Sequence, residues 1–162
     1  MSVKDPERIE ALKHFTEEFG VLFEQWGFPR MAGRILGWLM VCDPQHQSAA
    51  QLSEMLGASK GSISTSTRLL MASGLVERIG MPGERVSYYR MVADPVNPIM
   101  RLELADAIAL RRLMERGLEI LSGVSPRGKM RIELLRDLMK FRERELPKLI
   151  ERFRAEYEKK RG

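Results

Sequence analysis

The chain has 162 residues, of which 44% are hydrophobic and 30% charged, and this suits one compact domain or a binding module joined to an interaction module. Apolar runs stay below the roughly 18 residues of a membrane span, and the opening MSVKDPERIE lacks a signal peptide's apolar segment, so we expect a cytoplasmic protein without a membrane partner. The net charge of +5 supports nucleic-acid binding weakly, because residues 93–162 hold most of the excess, with 17 Lys/Arg against 12 Asp/Glu.

Two amphipathic helices are predicted before residue 43. The first, over residues 7–26, repeats apolar residues at steps of three and four, and such a stripe must pack on something. The second, over residues 30–42, carries Gly33 and Gly37 four residues apart, so another helix can approach that face closely. Cys42 is the one cysteine, which excludes an intrachain disulfide. Its apolar neighbours favour a small buried hydrophobe over a redox-sensing thiol.

Residues 48–92 predict two short helices, a tight turn between them and a β-hairpin. Ser48 and Gln51 form a capping box at the start of the first helix, and Gly57 ends it. The second helix starts at Ser59 and stops at Gly74. This order is typical of a winged helix-turn-helix, which places its second helix in the major groove of DNA.

The second short helix is predicted to have two contrasting faces. Its inward face carries Ile63, Ser66, Thr67 and Leu70, and its opposite face carries Ser64, Thr65 and Arg68. Serine and threonine are poor helix formers, so a merely solvated face would more cheaply use Glu, Lys or Gln. We therefore predict that the outer face contacts phosphates and base edges of double-stranded DNA.

The hairpin is predicted to pair residues 75–79 with residues 86–92, and residues 47–49 can add a short third strand. Arg85 lies at the tip of the connecting turn. Arg78 and Arg90 on the strands are interpreted as phosphate contacts or, equally well, as solvated surface residues. The predicted DNA-binding residues are Ser48, Ser59, Lys60, Gly61, Ser62, Ser64, Thr65, Arg68, Arg78 and Arg85, with Ser59 meeting a phosphate at the helix start.

Two further helices are predicted at the C-terminal end. Asn97 is read as an N-cap with Pro98 at the first helical position, and the helix to residue 121 carries apolar residues on two faces, which indicates packing on its own domain and on a second subunit. Ser125 and Pro126 repeat the cap signal. Pro147 is expected to kink or divide the last helix, whose interleaved charges argue against a DNA-binding tail.

Enzymatic motifs are lacking. The sequence has no Gly-rich phosphate loop followed by Lys-Ser/Thr, no GxSxG and no HExxH. His14 and His46 are isolated, and no Cys/His cluster supports a zinc site. We predict neither enzymatic activity nor a cofactor.

A family resemblance adds to this interpretation. The run from Leu52 to Tyr89 resembles the winged-helix regulators of the MarR superfamily, and FGVLFEQWGFPRMAGRILGWLMVCDP, residues 19–44, is similar to their GbsR-like branch. The resemblance is close over residues 8 to about 125, and beyond them it extends only to the arrangement of helices. It implies a homodimeric bacterial or archaeal transcription regulator, often a repressor, with Arg85 of the wing reaching the minor groove.

The resemblance also implies a possible small-molecule effector between the dimer helices and the winged helix. Some GbsR-like members respond to choline-type cations, which need an aromatic cage. Trp26, Trp38 and Tyr88, with Phe28 and Tyr89, are candidates, although packing of the core and the wing explains these aromatics more simply.

The sequence thus predicts a mainly α fold with a small β-wing: a winged helix-turn-helix DNA-binding domain plus long N- and C-terminal dimerisation helices. The expected regions are residues 1–29 (N-terminal dimerisation helix), 30–94 (winged helix-turn-helix) and 95–162 (C-terminal dimerisation helices). The predicted function is a DNA-binding transcriptional regulator, a repressor, acting as a homodimer on an inverted-repeat operator. The alternative is a winged-helix module that binds proteins and no operator.

Overall fold

The computed structural model describes residues 6–121, 123 and 126–161. It confirms a mainly helical fold with a small antiparallel sheet. In chain order the elements are α1 (Pro6–Gln25), α2 (Arg30–Val41), β1 (Gln47–Ser48), α3 (Ala49–Leu56), α4 (Lys60–Ala72), β2 (Val76–Gly80), β3 (Ser87–Met91), α5 (Val96–Ile120) and α6 (Pro126–Arg161). They form two compact units, Met1–Pro95 and Val96–Gly162, so α1 belongs to the same unit as the helix-turn-helix.

Helices α1 and α2 approach each other closely at glycines. A Cβ built at Gly33 would lie 2.6 Å from the Cβ of Phe23, and one at Gly37 would lie 3.0 Å from the Cβ of Phe19. Both phenylalanines come from the apolar stripe of α1. The close approach predicted for this face is confirmed, and the helix that makes it is α1 of the same chain.

The helix-turn-helix forms around a continuous buried core. Ser48 and Gln51 make the predicted capping box: Gln51 N donates to Ser48 Oγ at 3.2 Å, and Ser48 N donates to Gln51 Oε1 at 2.8 Å. Gly57 caps α3 in the left-handed region, at φ 58°. Apolar residues of α2, α3 and α4 fill the core, among them Ile35, Leu36, Leu39, Leu52, Leu56, Ile63 and Leu70.

The wing is a three-stranded sheet in the order β1-β3-β2. Strand β3 pairs antiparallel with both neighbours: Tyr89 lies opposite Gln47 of β1 and Arg78 of β2. The predicted third strand is confirmed at Gln47–Ser48. It anchors the hairpin to the start of α3.

One prediction about the second unit is wrong, and of the two effects expected of Pro147, a kink or a division, the division does not occur. Helix α5 begins at Val96, so Asn97 and Pro98 lie inside its first turn and are not its cap and first residue. Helix α6 runs through Pro147 without division. Pro147 is exposed, and having no N–H it leaves the Glu143 carbonyl without its usual donor within the helix. The predicted cap at Ser125 lies outside the described residues.

In the part of the chain that the structure describes, no helix is both long and apolar enough to span a bilayer.

Candidate nucleic-acid interface

The start of α4 is fixed by a side-chain cap. Ser59 has extended backbone (φ −67°, ψ 151°), and its Oγ accepts from the N–H of Ser62 at 3.2 Å. This confirms the predicted helix start. The Ser59 hydroxyl proton stays available to a phosphate, and Lys60 and Gly61 of the first turn are exposed.

The hydroxyl groups of α4 divide between its two faces as predicted. On the inner face Ser66 and Thr67 are buried, and Thr67 Oγ1 donates to the Ile63 carbonyl at 2.8 Å. On the outer face Ser64 and Thr65 are exposed, and within the described residues their hydroxyls have no hydrogen-bond partner. The outer hydroxyls therefore have their donors and acceptors free for an external ligand.

The cations around this face differ in how far they are engaged. Arg68 is exposed, and its Nε donates to the Ser64 carbonyl at 3.3 Å, which leaves both Nη groups for DNA. Arg78 Nη2 donates to Ser87 Oγ at 2.6 Å, a neutral partner, so its charge is not cancelled. Arg90 pairs with Glu77 at 2.7 Å, which favours the surface interpretation of that residue.

The wing tip carries an exposed cation. Arg85 follows a turn closed by a hydrogen bond from Glu84 N to the Met81 carbonyl at 3.1 Å, and it has no ion-pair partner among the described residues. Ser48, in contrast, is buried and occupied by the capping box. Its contribution to DNA binding would have to come from the helix start that it holds.

The candidate cage aromatics lie in different surroundings. Trp38 is buried in the core, and its Nε1 has no partner among the described residues. Trp26 is 59% exposed, and its ring contacts Phe23 at 5.6 Å between centroids. Tyr88 packs edge-on against His46 at 5.1 Å. The described ring contacts join none of the three to another of the three, so the structure does not bring a cage together.

Tyr88 also has a role within the wing. Its hydroxyl donates to the Glu84 carboxylate, and this hydrogen bond raises the pKa of Tyr88 above its ordinary value, with desolvation adding to the shift. The pair connects β3 to the turn beside Arg85.

Cys42 is only 4% exposed, and its thiol points to the Leu39 carbonyl at 3.8 Å. Burial raises the pKa of the thiol from 9.0 to about 11. A redox-sensing cysteine needs a lowered pKa and access to solvent. The structure thus favours the buried-hydrophobe interpretation.

The sequence interpretation overlooked Arg34 on α2. Its Nη2 donates to the Leu56 carbonyl at the end of α3 at 2.8 Å, and its guanidinium also pairs with Glu17 on α1. A cavity of about 270 Å³ adjoins this contact, lined by Glu10, Lys13, His14, Thr16, Glu17, Arg34, Met55 and Leu56. The available signal was a cation inside the apolar segment MAGRILGWLM.

A helix-turn-helix with an exposed second helix and a three-stranded wing defines the winged-helix class of DNA-binding proteins. Residues 26–85 match the model of the MarR family, and residues 94–156 match that of the MmpR5-like MarR family transcriptional regulators. The chain is 36% identical over 132 residues to the HTH-type transcriptional regulator MmpR5 of Mycobacterium tuberculosis, covering 82% of this chain and 80% of that protein. This chain belongs to the MarR family of transcriptional regulators.

Two further relatives are also described as transcriptional regulators. The putative HTH-type transcriptional regulator YvaV of Bacillus subtilis is 27% identical over 167 residues, covering 94% of each chain. A crystal structure described as that of a transcriptional regulator superposes with a TM-score of 0.80 at 34% identity, covering 90% of this chain and 99% of the other. The narrower GbsR-like assignment stays a prediction.

Proposed function

We propose that this MarR-family regulator binds an inverted-repeat operator as a homodimer and represses transcription. The observation that carries the proposal is the asymmetry of α4, whose inner hydroxyls are buried while its outer hydroxyls and cations are exposed and free to bind. A face of this kind matches the donors, acceptors and phosphates in a major groove.

The contacts are expected to fall into two groups. Ser59, Lys60 and Gly61 at the start of α4 suit phosphates, since the first N–H groups of a helix and a cation favour an anion there. Ser64, Thr65 and Arg68 along the outer face suit base edges. Arg85 extends the contact into the minor groove, and Arg78 suits a flanking phosphate.

Exposed apolar residues support the homodimer. In the first unit, Phe15 and Leu22 of α1 and Trp26 just after its end are exposed. In the second unit, α6 exposes a stripe made of Met130, Leu134, Leu138 and Phe141. Monomeric proteins rarely leave apolar stripes of this length in water. We assign them to an interface between two copies, formed by the first and last helices.

A dimer also compensates for the modest positive charge of the helix-turn-helix and wing, residues 48–92. Residues 48–92 carry 5 Lys/Arg and 3 Asp/Glu, and hydroxyl contacts add no counterion release. A dimer doubles both contributions and requires half-sites about 34–36 Å apart. The proposal includes release of the regulator from its operator by a small-molecule effector, as the family resemblance implies. We assign no aromatic cage to that effector.

The test begins with selection of bound duplexes from a random pool, followed by affinity measurement over a salt series. We expect Arg68→Ala to weaken operator binding by about 1–3 kcal/mol while sedimentation shows an unchanged dimer. Arg101→Ala, which removes an exposed cation from α5, a helix outside the proposed interface and the DNA-binding face, is the matched control and should bind as the unaltered protein does.

The outcomes separate the two functions. Affinity that falls steeply with salt supports phosphate contacts. If Arg68→Ala binds the operator as tightly as the unaltered protein does, the outer face of α4 is not the DNA-binding surface. If the unaltered protein binds no duplex even at low salt, the protein-interaction module becomes the better description.

A further inference from the structure

Arg34 joins two other elements of the first unit. Its Nη2 donates to the carbonyl oxygen of Leu56 at 2.8 Å. The same nitrogen pairs with the carboxylate of Glu17 on α1. One guanidinium group therefore ties α1 to the last residue of α3.

The path of the Arg34 side chain depends on a glycine. A Cβ built at Gly20 of α1 would lie 2.6 Å from Arg34 Cγ and 3.1 Å from the carbonyl oxygen of Arg30. Carbon atoms in contact normally lie 3.5–4.0 Å apart, so only bare backbone fits there. Gly20 leaves room for the stem of Arg34, and Glu17, three residues earlier on the same helix, receives its head group.

The atom that Arg34 holds lies at the entrance to the helix-turn-helix turn. Leu56 ends α3, and its carbonyl is one of the last four, which have no donor within the helix. Gly57 then takes a left-handed φ of 58°, Ala58 N returns to the Ser53 carbonyl at 3.0 Å, and Ser59 caps α4. Fixing the Leu56 carbonyl fixes the point from which the chain turns into α4.

Stability alone explains this arrangement poorly. The Arg34 side chain is only 19% exposed, and its Nε is buried without a partner among the described residues. Glu17 is 41% exposed, so water screens the ion pair, and the buried Nε–H of Arg34 costs desolvation without a hydrogen bond to offset it. The geometry that the pair imposes is the better reason for a cation at this place.

We infer that Arg34 is a positioning residue for DNA binding: it ties α1 to the carboxyl end of α3 and thereby sets the orientation of α4. The inference rests on the proposed function for its effect on operator binding. Its structural half, the restraint on the turn at residues 57–59, does not depend on DNA.

The first experiment measures that restraint by amide hydrogen exchange in the full-length protein. In Arg34→Met, we expect the amides of residues 57–63 to exchange about tenfold faster than in the unaltered protein, because the anchor of the turn is lost. Arg30→Met is the matched control. Arg30 also pairs with Glu17, at 3.4 Å, but is more exposed and makes no hydrogen bond or ion pair to α3 among the described residues.

The second experiment compares operator and non-operator duplexes. Arg34→Met should bind the selected operator about tenfold more weakly, because a misaligned α4 loses base contacts. Its affinity for non-operator duplex should stay within about twofold, since no phosphate contact is removed. Arg30→Met should change neither affinity, and Arg34→Lys, which keeps the charge, should recover part of the operator affinity.

The outcomes keep the two hypotheses apart. If the unaltered protein binds no duplex, the proposed function fails while the exchange data still decide the restraint. If it binds an operator and Arg34→Met binds equally well with unchanged exchange, the inference is wrong and the proposed function stands. Should Arg34→Met fail to fold, Glu17→Gln removes the α1 anchor at nearly the same volume, and slower or equal exchange of residues 57–63 would overturn the tie.

Discussion

The two compact units of this chain bury their apolar residues in different ways. In the first unit, α2, α3 and α4 enclose a continuous core with fully buried Ile35, Leu52 and Ile63. In the second unit, the apolar side chains of α6 form a stripe along its surface, and Leu134 is 71% exposed. The apolar residues of α2, α3 and α4 are thus enclosed within the first unit, whereas α6 leaves its apolar stripe in contact with solvent.

The difference in charge follows the same division. In the second unit, Arg111 of α5 pairs with two carboxylates: its Nε lies 2.6 Å from Glu143 of α6, and its Nη1 lies 2.7 Å from Glu115 one turn along α5. These hydrogen bonds raise the pKa of Arg111 above its ordinary value. On α4 of the first unit, Arg68 has no such carboxylate among the described residues. Three cations of the second unit, Arg111, Lys140 and Arg142, thus pair with a carboxylate of the neighbouring helix, whereas Arg68 keeps an uncompensated charge among the described residues.

The largest expected effects come from substituting one residue of the buried core and, in a separate variant, one residue of the exposed stripe of α6. Ile35→Ala leaves a cavity in a fully buried site, so it should lower the free energy of unfolding by about 2–5 kcal/mol without changing the dimer dissociation constant. Leu134→Asp should instead shift the protein to monomer. Urea unfolding and sedimentation velocity measure the two effects, and a Leu134→Asp protein that remains dimeric would contradict the proposed interface.

The sequence predicted the first unit better than the second because its signals are local. A capping box needs only Ser48 and Gln51, and a left-handed cap needs only Gly57. At α5 the local signal was ambiguous, since proline is tolerated anywhere in a first turn whose N–H groups lack partners. The sequence therefore predicts a helix start at Asn97 and Pro98, whereas the helix begins at Val96.

The candidate site divides in the same way. The exposed face with Ser64, Thr65 and Arg68 follows from helical periodicity, which the sequence displays directly. The tie from Arg34 to Leu56 spans 22 residues and ends on a backbone carbonyl, a partner that any residue type supplies. The sequence showed a cation within an apolar helix but contained nothing that identified its acceptor.

The titration of Cys42 tests whether water is excluded from the core of the first unit. Its pKa is about 11 in the fold against an ordinary 9.0, so below pH 9 the thiol is neutral in both states and contributes no pH dependence. As pH rises from 9 to 11, the unfolded thiol ionises first, and stability should fall by on the order of 2–3 kcal/mol. The check is urea unfolding between pH 7 and 11 compared with Cys42→Ala, which lacks this titration. Parallel pH profiles of the two proteins would show that the thiol is not desolvated.

The smallest expected effect on stability concerns Gly61, in the first turn of α4. A Cβ built there would meet only Ser59 Oγ, at 3.9 Å, so the fold itself does not require glycine. Gly61→Ala should therefore stabilise the helix by up to about 1 kcal/mol.

Operator affinity should move in the opposite direction, because the added methyl group stands where a phosphate would approach the start of α4. Gly128→Ala is the matched control: its Cβ would meet nothing within 4 Å, and it lies in α6, away from the reading helix in sequence. Thermal unfolding and operator titration of both variants separate the two effects. A Gly61→Ala protein that is more stable and binds its operator undiminished would show that DNA does not come close to this turn, and the phosphate contacts assigned to Ser59 and Lys60 would fall with it.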